Sequence, residues 1–187
     1  MKICILFFIL WFTFSSFTYS KNFNIIMKSV LLFEGGFSDI LDDPGGATNF
    51  GITQETYDIY RIRKKLKKQS VKYISMIEVY DCYYKNYYLK TRCDTLSPAL
   101  AFINFDTSVN FGIGGANRFL DQILDENPEL SANPKGCEKE LAEKYIELRE
   151  EYRYRITAAN KKKCKFLDGW LNRDNKVRIL INELPLH

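Results

Sequence analysis

The sequence predicts a mainly α-helical domain with little or no β-sheet and one Gly-rich loop near its start. Apolar residues recur at helical spacing in segment after segment, while strand-like alternation is scarce. A single stretch dense in Gly, Asp and Pro, residues 35–49, interrupts that rhythm early, as turns require. At 187 residues the chain suits one domain and can bury a real core. Its 12 Tyr and 14 Phe serve such a core and also suit a groove that stacks on sugar rings or bases.

The first twenty residues, MKICILFFILWFTFSSFTYS, stand apart from the fold. Lys2 supplies a positive start, Ile3 to Phe14 an apolar run too short to span a bilayer, and Thr18-Tyr19-Ser20 a small-x-small cleavage site. This reads as a secretory signal peptide, with Lys21 as the first mature residue. The expected product is a secreted protein, in the periplasm or outside the cell, with no stable membrane anchor after cleavage. Export leaves Cys82, Cys93, Cys137 and Cys164, an even count that suggests two disulfides. Sequence proximity favours Cys82 with Cys93 and Cys137 with Cys164. No CxxC pair or Cys/His cluster is present, so neither a metal nor a cofactor is expected.

The formal charge of +4 becomes +3 once Lys2, the leader's one charge, is removed. That is too small for a dedicated nucleic-acid binder. The basic runs RIRKKLKK (Arg61 to Lys68) and KKKCK (Lys161 to Lys165) read as solvated faces, the sharper alternative being attraction to an anionic polymer such as a cell wall. The one histidine, His187, is the last residue. Ser-His-Asp, Cys-His and His-ligated zinc chemistries therefore lose their base or ligand. An enzyme built from this chain must work with carboxylates.

The elements follow in order. NIIMKSVLLF (Asn24 to Phe33) places Ile26, Val30 and Phe33 on one helical face, with Asn24 as its cap and Gly35 as its stop. TQETYDIYRIRKKL opens on Thr53 as N-cap and ends basic, in agreement with the helix dipole. SVKYISMIEVYDCYYKNYYLK predicts a long amphipathic helix with Ile74, Ile77, Tyr80 or Asp81 and Tyr84 in rhythm. SPALAFINFDTSVNFGIGG is apolar on nearly every side, so it should be the central buried helix, started by Ser97 and Pro98 and stopped by Gly112. GANRFLDQILD gives a short helix and ENPELSANPKG a polar loop. A surface helix with Leu141, Tyr145, Leu148, Tyr152 and Ile156 on one stripe comes next, and FLDGWLNRDNKVRIL closes the fold.

The chemistry gathers in LLFEGGFSDILDDPGGATNFGIT, residues Leu31 to Thr53. Glu34 ends an apolar helix, where the negative end of the macrodipole and oily neighbours both disfavour an ionised carboxylate. A carboxylic acid that keeps its proton can give it to a leaving oxygen, the role of a general acid in glycoside hydrolysis. Gly35 and Gly36 leave room for a sugar to approach the backbone. Inverting glycosidases hold a water with a second carboxylate roughly 6.5–9.5 Å from the acid. Asp39, Asp42 and Asp43 are the nearby candidates, Asp43 standing directly before Pro44-Gly45-Gly46 with the Thr48 hydroxyl close behind. All three aspartates equally suit Asx turns that hold the loop.

EGGFSDILDDPGGATNFGIT resembles the signature of glycoside hydrolase family 108, the lysozyme-like N-acetylmuramidases of bacteria and phage. EVYDCYYKNYY (Glu78 to Tyr88) is similar to that family's Tyr-rich helix, FINFDTSVNFGIGGANRFLDQIL to its buried helix, and FLDGWLNR (Phe166 to Arg173) to its terminal GWLNR. Tyr87-Tyr88 replaces the family's usual Tyr-Trp, and Phe111 stands where a small residue is common. The resemblance implies a lysozyme-like fold, with residues 21–95 as its N-terminal catalytic part and 96–187 as a C-terminal helical, peptidoglycan-binding part, packed as one monomeric unit. It implies hydrolysis of the β-1,4 bond between N-acetylmuramic acid and N-acetylglucosamine in peptidoglycan glycan strands. Glu34 becomes the general acid, Asp43 and Thr48 the water-holding pair, and Gly35, Gly36, Gly45, Gly46, Tyr84 and Asn110 the substrate-binding positions. Asp106 is a support residue or a satisfied core carboxylate. A lytic transglycosylase, which needs only the glutamate, and a non-catalytic wall-binding module are the alternatives.

Overall fold

The structure, a computed structural model, describes residues 19–39, 46–132 and 136–184. Helix α1 (Lys21–Leu31) begins three residues earlier than its sequence pattern predicts. Its cap is Ser20, not Asn24, and the Ser20 hydroxyl accepts from the Phe23 N–H at 3.1 Å. Tyr19 packs its ring on Phe23, Tyr80 and Tyr84. Tyr19 and Ser20, expected to leave with the signal peptide, are thus built into the fold, while the rest of that segment lies outside the described residues.

A short hairpin follows, β1 (Thr48–Asn49) against β2 (Ile52–Thr53), antiparallel. Its two-residue loop, Phe50-Gly51, has positive φ at both positions (50° and 72°), the left-handed backbone that matches the twist of a tight hairpin. Ser38 adds a bridge on the outer side of Thr48, with reciprocal N–H to carbonyl bonds of 2.9 and 2.8 Å. Helix α2 (Gln54–Arg63) starts on Thr53 as predicted, the hydroxyl accepting from the Thr56 N–H.

Helix α3 (Met76–Tyr83) is set by a capping box between Ser75 and Glu78. Its buried face differs from the predicted one: Val79, Asp81, Cys82 and Tyr83 point inward, and Ile77 is 80% exposed. The helix loosens into a π turn at Tyr84–Tyr88 before a 3-10 turn at Leu89–Thr91. A π turn inserts one residue into the α register, so a uniform 3.6-residue extrapolation fails from Tyr84 onward.

Helix α4 (Pro98–Glu126) is the buried centre of the molecule, every residue from Ala99 to Ser108 being buried. Gly112, at φ 74° and ψ 166°, breaks the helical geometry where the stop was predicted, so the expected short second helix runs on from it as the outer half of α4. The predicted polar loop after it contains one short helix, α5 (Pro128–Ala132). Helix α6 (Glu138–Ala159) packs on α4 and on α7 (Leu167–Glu183), with a 3-10 segment, Lys161–Phe166, between them. Leu141 and Tyr145 lie inward as expected, but so do Arg149 and Arg153, which a surface helix would leave in solvent.

The chain therefore has the mainly α architecture expected, with one two-stranded sheet among the described residues. The two expected disulfides are not formed. Cys82 and Cys93 are separate buried thiols, Cys137 is half-buried and Cys164 exposed. Burial pushes both inner thiols up to about 12. The Cys93 sulfur donates to the Ala101 carbonyl instead, so its place in the core is set by packing against α4.

Candidate active site

Glu34 lies just past α1. Its N–H still reaches the Val30 carbonyl at 3.3 Å, which carries the helical turn through to the glutamate. The side chain is only 14% exposed. The two carboxylate oxygens meet different surroundings. Oε1 accepts from Arg173 Nη2 at 3.0 Å. Oε2 faces the hairpin turn so closely that a β-carbon on Gly51 would stand 2.6 Å from it and 2.6 Å from the Tyr83 hydroxyl. Oε2 is therefore packed against the turn, with no room between them for a side chain at position 51.

That turn is held from below. The buried Tyr83 donates to the Phe50 carbonyl at 2.8 Å, tying the hairpin to α3 across the site. Burial raises the Tyr83 phenol's pKa, and the negative charge of Glu34 adds to the rise, so the phenol stays protonated and keeps donating. Phe50 accepts a left-handed backbone, uncommon for a bulky residue, and its strain is kept by this bond and by the close fit of Gly51.

The oily surroundings predicted for Glu34 are only half present, because a cation arrives from the far end of the chain. Arg173, on α7, spans Glu34 and Asp106: its Nε and Nη2 reach Asp106 Oδ1 at 3.0 and 2.8 Å, and the guanidinium carbon sits 5.0 Å from the Phe33 ring centre. Burial opposes its charge, but Asp106 and Glu34 outweigh that cost and raise its pKa.

Asp106 is the satisfied core carboxylate. Its other oxygen accepts from Arg149 at 2.9 Å; Arg149 also bonds Asp174, and Asp174 takes Arg153 at 2.6 and 3.0 Å. Glu34 thus stands at the half-exposed end of a ladder of alternating charges that runs through α4, α6 and α7. Buried charges persist only when paired in this way.

The other predicted positions separate. Gly35, Gly36 and Gly46 are exposed and open, with nothing within 4 Å of where a β-carbon would be. Thr48 is half-buried in β1, its backbone locked to Ser38. Asp39 is exposed, one residue beyond that bridge. Asp42, Asp43 and Gly45 lie outside the described residues. Asn110 is exposed one helical turn after Asp106, donating to its carbonyl at 2.8 Å. Tyr84 is not brought to Glu34; it stacks on Tyr88 and packs edge-on against Phe23, beside the start of α1. Tyr83, its neighbour, occupies the place at the glutamate.

Gly51, Tyr83 and Arg173 join the site through the fold and are not among the positions that the sequence singles out. All three sit inside segments that carry the resemblance, GIT, EVYDCYYKNYY and GWLNR, but no local pattern says that any of them touches Glu34. Among the described residues no group of His, Cys, Asp and Glu side chains is placed to hold a metal ion.

Residues 27–112, from α1 to the Gly112 break, match the sequence profile of the family described as glycosyl hydrolase 108. The chain carries a glycosyl hydrolase 108 domain. It is accordingly a glycoside hydrolase, and Glu34, the hairpin and α3 all fall within that domain. Among solved structures it is similar to SagA of Brucella abortus, at 26% identity and a TM-score of 0.67, over 86% of this chain and 94% of that one. That likeness covers more of the chain than the 27–112 match does. No curated protein matches the sequence.

Proposed function

We propose that this glycosyl hydrolase is a secreted muramidase that cuts the β-1,4 bond between N-acetylmuramic acid and N-acetylglucosamine in peptidoglycan. The observation that carries the reading is the asymmetric seat of Glu34. One oxygen is pinned by Arg173 and the other is packed against the Gly51 turn, so the carboxyl is held in one orientation while part of its surface stays exposed.

Glu34 protonates the leaving oxygen. Arg173 fixes the rotamer and, after transfer, stabilises the carboxylate that remains. Asp43, with Thr48, steers the attacking water from the opposite face of the sugar. The Gly-rich loop that carries Asp43 starts and ends at the Ser38 to Thr48 bridge, four residues after Glu34, which supports delivery of a carboxylate to the same cleft. Gly35, Gly36, Gly45 and Gly46 let the saccharide lie close to the backbone. Secretion rests on the leader-like first residues.

Digestion of purified sacculi with product analysis tests this. Wild type should release reducing ends, and Glu34→Gln should abolish release while its thermal melt is unchanged or raised. Full activity in Glu34→Gln would sink the assignment. Products lighter by one water would instead identify a lytic transglycosylase.

A further inference from the structure

The basic run at the end of α2 takes no part in the proposed reaction, yet it stands beside exposed apolar side chains and a cationic cleft. We propose that this end of α2, with the turns that follow α3, is a docking surface for an anionic phospholipid membrane, bound peripherally and reversibly. The inference is independent of the hydrolase reading.

Helix α2 exposes both kinds of group that such a surface needs. Tyr57 and Tyr60 take its buried side, whereas Ile59 and Ile62, three residues apart, are 43% and 61% exposed. Past Arg63 the helix closes with N–H bonds from Lys65 to the Ile62 carbonyl at 3.0 Å and from Leu66 to the Arg61 carbonyl at 2.8 Å. That closure turns the exposed Leu66 back over the last helical turn. Its left-handed position suits glycine, but here Lys65, at φ 57°, puts a cation there.

Beside this ridge opens a cleft of about 350 Å³, lined by Tyr60, Arg63, Lys64, Lys85, Asn86 and Lys90. Lys64 and Lys85 bond Asp81 at 2.7 and 2.9 Å, and the Tyr60 hydroxyl donates to the same carboxylate. Two ammoniums are thus held in place over one negative charge. Arg63, Lys65, Lys67 and Lys90 form no ion pair among the described residues. Arg63 lines the cleft and, four residues after Ile59, also shares its face, so ridge and cleft are one surface. Headgroup phosphates can meet the cations while Ile59, Ile62 and Leu66 enter the acyl boundary. A soluble polyanion would use the cations alone and leave these three side chains in water.

The route of the chain favours the same occupant. Residues 1–18, apolar from Ile3 to Phe14, join the fold at Tyr19. The Tyr19 ring packs on Tyr80 and Tyr84, close enough to Asp81 and Lys64 to feel their charges. A leader that passes through a membrane therefore brings this face to the bilayer first. The surface is separate from the glutamate site, since none of its cations bonds Glu34 or Asp106 among the described residues.

Co-sedimentation of the exported chain with vesicles tests the proposal. Mixed phosphatidylglycerol and phosphatidylcholine vesicles should bind at least about tenfold more tightly than phosphatidylcholine alone. Arg63→Gln and Lys90→Gln should each cut that preference about fivefold. Ile62→Gln should weaken binding to the anionic vesicles about tenfold. The Arg63→Gln, Lys90→Gln double variant should still cleave lipid-free sacculi at the wild-type rate. Equal binding to both kinds of vesicle would overturn the proposal. So would soluble poly(glycerol phosphate) that binds as tightly as the anionic vesicles with no effect of Ile62→Gln, which would make the cations a polyanion site. Loss of cleavage on lipid-free sacculi as large as the loss on vesicles would assign the cations to the glycan and likewise overturn it.

Discussion

Gly51→Ala isolates the geometry around Glu34. The new methyl would stand 2.6 Å from Glu34 Oε2, 2.6 Å from the Tyr83 hydroxyl and 3.1 Å from Glu34 Cδ. Ordinary contact begins near 3.4 Å, so the carboxylate or the turn must give way by about 0.8 Å, the difference of 3.4 and 2.6. Displacing a reacting group by about 1 Å costs on the order of 100-fold in rate, or ~2.7 kcal/mol of transition-state stabilisation. The backbone adds a separate cost, because φ at Gly51 is 72° and a β-carbon there is disfavoured by roughly 1–2 kcal/mol. For a chain of this size that lowers Tm by about 2–8 °C. Gly136→Ala is the control, since φ there is 90° but nothing lies within 4 Å of the added carbon. The measurements are kcat/KM on sacculi and a thermal melt for each variant. Both should lose stability, Gly51→Ala the more because of its added clash, and only Gly51→Ala should lose activity. If Gly51→Ala loses stability but keeps wild-type kcat/KM, the turn does not set the position of Glu34.

Three further predictions concern the charge ladder and the acid-sensitive pairs. Arg173→Gln should lower kcat by about tenfold or more, as a positioning residue would. Arg173→Lys should recover part of kcat without recovering stability, because an ammonium keeps the charge but lacks the fork that serves Glu34 and Asp106 together; equal kcat in the two variants would refute this. Asp174→Asn, which strips the buried Arg149 and Arg153 of a shared carboxylate, should destabilise by about 3–5 kcal/mol in denaturant unfolding. The exposed Asp168→Asn on the same helix should change stability by less than about 0.5 kcal/mol. Finally, burial alone would raise Glu78 and Asp81. Bonds from Ser75 and Tyr57 to Glu78, and from Lys64 and Lys85 to Asp81, outweigh it and hold both carboxyls below their ordinary values. Their contribution is therefore full above the ordinary values of 4.5 and 3.8 and is lost as pH falls through the lower folded values. Melting temperature should hold steady through neutral pH and drop below about pH 4; Glu78→Gln should flatten that drop.

Much of the helical frame was legible because its signals are local. Thr53 caps α2 with its own hydroxyl, Pro98 opens α4, and Gly112 breaks α4 because its backbone geometry excludes other residues. Errors arose where a distant contact changed the local outcome. Ser20 displaced Asn24 as a cap, in part because Tyr19 finds an aromatic nest made by α3 and the π turn. Helix α3, started by the Ser75 and Glu78 capping box, turns Val79, Cys82 and Tyr83 inward, so Tyr83 rather than Tyr84 met the glutamate. Arg149 and Arg153 resembled surface charges, since a stripe pattern scores a cation as outward and cannot register Asp106 and Asp174 approaching from two other helices.

Glu34 could be singled out from the chain alone, because an acid at the end of an oily helix, followed by two glycines, is a local arrangement with a local chemistry. What restrains that acid could not. Arg173 lies 139 positions away, and Gly51 acts through the side chain it lacks. Ion pairs and close approaches of this kind depend on distance in space, which local periodicity and capping leave open and which only the packing of α7 and the hairpin against α1 decides.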